Sequence, residues 1–492
     1  MSVKKGRIPT FYEALFTFLV AVGSISLSII LLGIDVQIAL CFALFVAVIS
    51  AIYLGYSVND IEKMIIKGVE SSSMMLVFNL LIGMVVASWI AAGIIPYIIY
   101  LGLAWFTPAL VPFLACALCS LMSMMIGSSW TTGGTVGLAF VTIATAMGYP
   151  LPLICGAVIS GAMFGDKQSP LSETTVFAAS VSEVRLMDHV SSMRYTSVTS
   201  LAVALIIYAF LGFRYVTTGE VDLTEIEIIR ALLAKTFKLN PLLLLMPILL
   251  IWMLIKRINA LFCLGAAIVA GFVTGIFFQG LSIIDMASVL MSGLHVKTGS
   301  EIVDMICSKG GLNSMWYIVS VTILGFAMSE VLTETHVYET LVNSFADKLR
   351  SPKSIISSSL FTGMVLSFGT AASYVPALIT AGCYKDIYNK AGIDRRVLSR
   401  TLEDATTITN PMAPWLPSGI FFATLFGCEV WAYLPYYLLG FFNPLMAIIC
   451  AFTGYGVFYT NHKKGWGKNK YQPEKDGTIA LEVTEEYYKT LV

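Results

Sequence analysis

Charge is scarce in this chain. Of 492 residues only 12% are Asp, Glu, Lys or Arg, against about 25% in an average soluble domain. The 30 basic and 30 acidic residues cancel, so the chain has no excess of Lys and Arg with which to hold a nucleic-acid backbone. Histidine is rarer still: His189, His295, His336 and His462 are the only four, and none stands in HExxH or another zinc spacing, which argues against a metalloenzyme. No GxxxxGK[ST] loop occurs, so direct coupling to ATP within this chain is unsupported. The nine cysteines are an odd number, and Cys41, Cys116, Cys119, Cys155, Cys263 and Cys450 lie inside apolar runs. The Cys116/Cys119 pair has no histidine or second CxxC beside it, so these thiols read as small core residues with no disulfide expected. With no nucleophile–base pair or metal motif either, the reading is not an enzyme and needs no cofactor.

What remains is hydrophobic: 57% of residues, with a mean hydropathy of +0.82. That composition fits a polytopic membrane protein, in which each helix needs roughly 20 mostly apolar residues to span. Met1–Arg7 precedes an apolar run from Ala14 to Leu32, too long for a cleavable signal and lacking its small-residue cleavage site. The run reads as a first span.

The chain also matches itself. At an offset of 225, Gly55-Tyr56-Ser57-x-x-Asp60 with Gly68 aligns with Gly280-Leu281-Ser282-x-x-Asp285 with Gly293. At 242, Gly83 meets Gly325, Ser88 meets Glu330 and Gly127 meets Gly369; at 241, Pro170 meets Pro411. The order is kept, with one insertion near His295–Gly311. The expected organisation is a cytoplasmic N-terminus (1–10), a first repeat (11–215), an external linker (216–237), a second repeat (238–460) and a cytoplasmic tail (461–492).

Loop charges supply orientation, since Lys and Arg collect on cytoplasmic loops. With Lys4, Lys5 and Arg7 inside, Ser57–Glu70 carries Lys63 and Lys67 inside, while its partner Ser282–His295 has neither Lys nor Arg. Gly102–Pro108 is free of Lys and Arg, and its counterpart holds Lys348, Arg350 and Lys353. The turn at Gly148–Pro150 is neutral, and Ala391–Arg400 carries Arg395, Arg396 and Arg400. Paired loops swap sides, as in an inverted-topology repeat. The linker, with Glu220, Asp222, Glu225 and Glu227, falls outside, and the tail, beginning with Lys463 and Lys464, falls inside.

Two polar interruptions mark each half. Gly127–Gly137 holds four glycines and five Ser/Thr in eleven residues and predicts a re-entrant turn, with a small-residue helix contact as the alternative. Gly165-Asp166-Lys167-Gln168-Ser169-Pro170-Leu171-Ser172-Glu173-Thr174-Thr175 interrupts a strongly apolar stretch. It predicts a helix that unwinds at about Gly165, which at membrane depth is tolerated only where backbone is buried or lines a watery cavity. Such breaks build the sites of secondary transporters; a solvated Asp166/Lys167 pair in an ordinary loop is the rival. The run Gly156, Gly161, Gly165 reads as close packing. In the second half, Gly369–Ser373 and Glu403–Pro411 correspond. Hydroxyls and freed carbonyls suit a small, hard cation such as Na⁺, and a carboxylate offsets its dehydration. Glu330, inside a span, is a second candidate carboxylate; Glu13 and His336 read as interfacial and loop residues.

These segments resemble the NhaC-type Na⁺/H⁺ antiporter family. Gly127-Ser128-Ser129-Trp130 through Gly137 is similar to that family's Gly-Ser-Ser-Trp loop. Gly156 through Thr175 resembles its first-half motif, with Glu173 where Asp is usual. Leu398–Asp404 and Ala413-Pro414-Trp415 resemble the second-half motif, which this chain leaves at Leu416-Pro417-Ser418-Gly419, where Asn-Thr-x-Gly is common. The stretch after Gly369 is also unusual, so the departures fall in the second half's expected substrate lining.

The resemblance implies an all-α polytopic membrane protein with inverted repeats, broken helices and re-entrant hairpins. It implies an elevator-type carrier, multi-pass in the bacterial cytoplasmic membrane, both termini cytoplasmic. The expected function is exchange of Na⁺ for H⁺, Na⁺ being the transported or coupling ion. The alternative is a Na⁺- or H⁺-coupled carrier of a small organic anion or amino acid, of the malate/lactate exchange type. A channel is a rival of another class, and a homodimer stays open. Asp166 is expected to take Na⁺ or a proton, with Ser128, Ser129, Thr132, Ser169, Ser172 and Thr175 as oxygen ligands. Gly369, Thr370, Ser373, Asp404, Thr406, Thr407 and Asn410 are expected to form the pseudo-symmetric half. Asp166, Glu330 and Asp404 are the candidates for proton coupling.

Overall fold

The structure is a computed structural model. It describes residues 6–459 apart from 106, 218–222, 257, 301–302, 305–306, 309, 347–348, 350 and 371–373. The basic N-terminus (Lys4, Lys5), the linker acids Glu220 and Asp222, the charged loop at Lys348 and Arg350, Ser373, His462 and the tail from Asn461 therefore lie outside the described residues.

Helices begin where side chains take up the first free backbone N–H groups. Thr10 and Glu13 form a capping box at the start of α1 (Phe11–Ile30), and Glu13 also pairs with Arg7. After α2 (Val36–Tyr53), Ser57 caps α3 (Val58–Ala91), and the Ser57–Glu70 segment forms its first turns rather than a separate element. Then come α4 (Ile94–Trp105), α5 (Val111–Ile126), α6 (Ser129–Thr132), α7 (Leu138–Ala146), α8 (Leu151–Gln168), α9 (Glu173–Val181) and α10 (Leu186–Thr217). Next are α11 (Leu223–Thr236), α12 (Leu245–Ile255), α13 (Ala260–Thr274) and α14 (Ile283–Ser292). After residues 293–311 follow α15 (Trp316–Glu334), α16 (Val337–Ala346), α17 (Pro352–Thr370), α18 (Val375–Lys390), α19 (Arg395–Ala405), α20 (Pro417–Phe426), α21 (Val430–Tyr433) and α22 (Leu438–Thr453). The described residues contain no strand, only one isolated bridge, Ile393 to Tyr459.

Among the described residues seven helices are long and apolar enough to cross a membrane, or up to nine if two sharply bent pairs (93° and 94°) each count as one span. Many large apolar side chains face outward, including Phe45, Ile206, Phe262 and Phe277, as they should where the solvent is lipid.

Small residues set the closest approaches. A Cβ on Gly161 would lie 2.2 Å from the Cys116 carbonyl oxygen, and one on Gly165 2.3 Å from that of Ser120. Helices α5 and α8 therefore touch backbone to backbone, the packing expected where there is no water to expel. On the other side, Gly68 meets the Phe326 carbonyl and Gly83 the Gly311 carbonyl, seating α3 on α15. Cys116 and Cys119 are buried in α5.

Three sequence expectations need correction. Helix α8 does not unwind at Gly165; it runs through Gln168, and the interruption is Ser169 to Ser172. Gly165 is small because Ser120 and Ser123 of α5 lie against it. The Gly127–Gly137 segment is mostly helical rather than a turn throughout: Gly127 (φ 77°) and Ser128 (φ −151°, ψ 116°) leave the helical region, followed by α6, a π-helical segment Gly133–Gly137 and α7. Its counterpart also differs, because α17 continues through Gly369 and Thr370.

Candidate functional site

Pro170 explains where α8 ends. A proline pushes the residue before it into extended backbone, and Ser169 sits at φ −84°, ψ 128°. The freed chain folds back on itself. Ser169 Oγ accepts from the Leu171 N–H (3.2 Å), and Thr175 Oγ1 donates to the carbonyls of Lys167 (3.0 Å) and Asp166 (3.4 Å). Ser169 and Thr175 thus satisfy the broken backbone.

This leaves the Asp166 side chain for another purpose. It is 7% exposed, and three donors converge on its carboxylate. The Ser129 N–H (3.0 Å) and Ser129 Oγ (2.5 Å) donate to Oδ2, and Ser172 Oγ (2.6 Å) donates to Oδ1. Ser129 is in place because Gly127 turns the chain at the end of α5, and a Cβ there would lie within 2.8 Å of Leu171 in the break. The two interruptions of the first half therefore rest on each other. Ser128 caps α6, accepting from the Thr131 N–H (3.2 Å) and hydroxyl (3.0 Å). Thr132 Oγ1 is buried without a hydrogen-bond partner.

Lys167, read from sequence as a neighbour for Asp166, points instead into the second half. It is fully buried, and its ammonium donates to Asp404 Oδ1 and to Asn443 Oδ1 (3.2 Å). Thr196 Oγ1 (2.9 Å) and Asn443 Nδ2 (2.6 Å) also donate to Asp404 Oδ1, whereas Oδ2 has no partner. Asp404 thus already has a cation in contact. Glu403 is 1% exposed, with neither carboxylate oxygen hydrogen-bonded. Thr406 donates to the Leu402 carbonyl within its own helix (2.9 Å), and Asn410 Oδ1 accepts from the Ser418 N–H (2.7 Å).

A cavity of about 350 Å³ opens over Asp166. Of the expected residues, Ser128, Ser129, Asp166, Ser172, Thr407 and Asn410 line it, so both halves contribute. Thr132, Ser169, Thr175, Gly369, Thr370, Asp404 and Thr406 do not line it. Glu330 stands apart, paired with Lys67 at 2.6 Å. His336 sits in the turn after α15, its Nδ1 2.8 Å from Glu339. Sequence reasoning did not single out Lys167, Thr196, Glu403 or Asn443. For Lys167 the signal was present, since a lysine inside an apolar stretch needs a partner.

The sequence profile of the Na⁺/H⁺ antiporter family matches residues 8–176 and 161–455. The malate-2H⁺/Na⁺-lactate antiporter of Bacillus subtilis is 32% identical, covering 94% of this chain and 98% of its own length. The arginine/ornithine antiporter ArcD of Halobacterium salinarum is 33% identical (92% and 93% covered). The Na⁺/H⁺ antiporter NhaC of Alkalihalophilus pseudofirmus is also 33% identical (87% and 93%). A solved structure of MtrF from Neisseria gonorrhoeae aligns over 78% of this chain and 84% of its own at 12% identity, with a TM-score of 0.37, too slight a likeness to carry an argument.

Proposed function

The chain belongs to the Na⁺/H⁺ antiporter family, and from that premise we propose a site for its exchange of Na⁺ against H⁺, centred on Asp166. The observation that carries this is the convergence of Ser129 and Ser172 on a buried carboxylate that lines a cavity. Without Na⁺ the two hydroxyls donate to Asp166; rotated, they turn oxygen lone pairs toward a cation held by the same carboxylate. One carboxylate cannot hold Na⁺ and a proton together, so competition between them links the two fluxes. Ser128, Thr407 and Asn410 complete the oxygen lining. Asp404 is better read as structural, because Lys167 supplies its counter-charge.

Asp404, Thr196 and Asn443 hold the Lys167 end of α8 against α10, α19 and α22, so both breaks would move as one body in an elevator-type step. Two halves of inverted topology are supported by the order of elements. The series α2 to α5 and α7 to α10 is matched by α13 to α22, with α14 and α15 standing where α3 is continuous and α21 and α22 where α10 is. In this arrangement both termini are cytoplasmic and the protein spans the membrane many times. The test is Na⁺-driven pH change in everted membrane vesicles: Asp166→Asn is expected to abolish it, and full activity in that variant would refute the assignment.

A second reading, carriage of an organic substrate by the same site, is favoured by the cavity, which at about 350 Å³ far exceeds one dehydrated ion and falls in the range of small-molecule pockets. Uptake of labelled malate, lactate and amino acids into proteoliposomes tests it.

A further inference from the structure

The chemistry of the cavity wall says which kind of organic molecule it suits. One side is acidic and polar: Asp166, the half-site just described, and Glu173, exposed at the start of α9. The Tyr374 hydroxyl reaches Glu173 at 3.3 Å, and its ring lies 5.0 Å from that of Phe177. The other side is apolar and polarisable, with Met74, Met75, Phe78 and Met163.

Trp130 joins the two sides. Its ring stacks on Phe421 at 4.7 Å, its indole N–H donates to Ser418 Oγ at 3.0 Å, and it still lines the cavity. It is a fixed aromatic surface. Among the described residues the wall contains no Lys, Arg or His. A carboxylate entering here would meet two like charges and lose its hydration without a compensating cation, a large desolvation cost. A cationic head would meet Asp166 on one side and aromatic faces on the other, and both attract it.

We propose that the Asp166 cavity binds an organic monocation, an ammonium, amidinium or guanidinium head on an apolar or aromatic body, in competition with Na⁺, and rejects carboxylates of the same shape. The proposal rests on the assignment of Asp166 as the cation site, and it replaces an anion by a cation in the organic-substrate reading. A cavity of this volume has room for roughly a dozen waters at about 30 Å³ each. If the space served only as a watery approach for Na⁺, no organic cation would compete better than its neutral analogue.

The test uses the full-length protein in proteoliposomes with the same pH on both sides, reading counterflow of ²²Na⁺. Three probes share one planar shape and differ in charge: benzamidine, benzamide and benzoate. Benzamidine is expected to inhibit counterflow at a concentration at least about tenfold below benzamide, the ratio given by one charge-assisted contact of roughly 1.4 kcal/mol, and benzoate is expected not to inhibit. Glu173→Gln is expected to raise the benzamidine half-inhibition concentration about threefold relative to that of unlabelled Na⁺, the modest effect of an exposed charge.

Equal potency of benzamidine and benzamide, or no inhibition by either, would overturn the proposal while ²²Na⁺ counterflow left the Na⁺ site standing. Inhibition by benzoate would overturn it too. Absence of ²²Na⁺ counterflow would instead remove the Asp166 assignment; counterflow of labelled benzamidine, run in the same liposomes, then decides the organic cation separately.

Discussion

Replacing Lys167 by methionine keeps the length and apolar stem of the side chain but removes the ammonium. In the folded protein the Asp404 carboxylate would then stay fully buried with Thr196 and Asn443 as its only donors, both on Oδ1, while Oδ2 has none. Asn443 Oδ1 loses a donor as well. Removing one partner of a buried ion pair costs about 3–5 kcal/mol, because the other charge is stranded in low dielectric. At roughly 2 °C per kcal/mol for a large chain, thermal unfolding in detergent, followed by intrinsic tryptophan fluorescence, should fall by about 5 °C or more. Asp404→Asn alone strands the ammonium and should do much the same. The double variant Lys167→Met/Asp404→Asn removes both charges and should recover more than half of the loss, the non-additivity that marks direct coupling. A Lys167→Met protein as stable as wild type, or a double variant no better than the singles, would refute the view that these two charges sustain each other.

Ser129→Ala and Ser172→Ala each remove one hydroxyl donor from Asp166 and are expected to lower apparent Na⁺ affinity in vesicle exchange by about tenfold or more, the value of one hydrogen bond to a charged group; unchanged affinity in both would dismiss them as ligands. Gly161→Ala places a Cβ 2.2 Å from the Cys116 carbonyl and should destabilise by about 1–3 kcal/mol, whereas Gly23→Ala, with nothing within 4 Å, should gain up to about 1 kcal/mol of helix propensity; paired melting curves in detergent check both. Glu183, in the turn before α10, is held below its ordinary 4.5 chiefly by a hydrogen bond from Lys385, aided by the charges of Lys385 and Arg395. A lowered carboxylate value gives stability that is complete above 4.5 and fades as pH falls through the folded value. Glu183→Gln should therefore be slightly less stable than wild type at pH 7, by no more than about 0.5 kcal/mol for so exposed a group, and the gap should close as pH falls through and below the folded value; a gap that widens in acid would contradict the sign.

The local chemistry of Asp166 was legible in the sequence because its partners lie within one half, and serine, glycine and proline at Ser129, Gly127 and Pro170 announce broken helices. The exact end of α8 was not. Glycine and charge at Gly165–Lys167 read as helix breakers, yet Gly165 is a packing contact and Lys167 pairs with Asp404, 237 positions along the chain. Propensity describes what a segment would do alone, and tertiary packing overrides it. The same distance hid Asn443 and Thr196, neither of which carries a pattern of its own. Thr132 and Thr406 were chosen for having hydroxyls, but a hydroxyl on a helix can turn to its own backbone, as Thr406 does.

Helix α3 has 34 residues, about 51 Å at 1.5 Å per residue, well beyond the roughly 30 Å of a hydrocarbon core. It is fastened to its neighbours at two separated places. Lys67 binds Glu330 and Glu334 of α15, and sixteen residues on the Gly83 carbonyl accepts from the Gly311 N–H at 2.8 Å. These two ties, about 24 Å apart along α3, hold it to α15 and to the segment leading into α15, and so resist sliding of the pair. Whatever part of the molecule shifts as cations are exchanged, this pair is the ruler against which the shift would be measured, and spectroscopic labels placed along it should keep their mutual distance through the cycle.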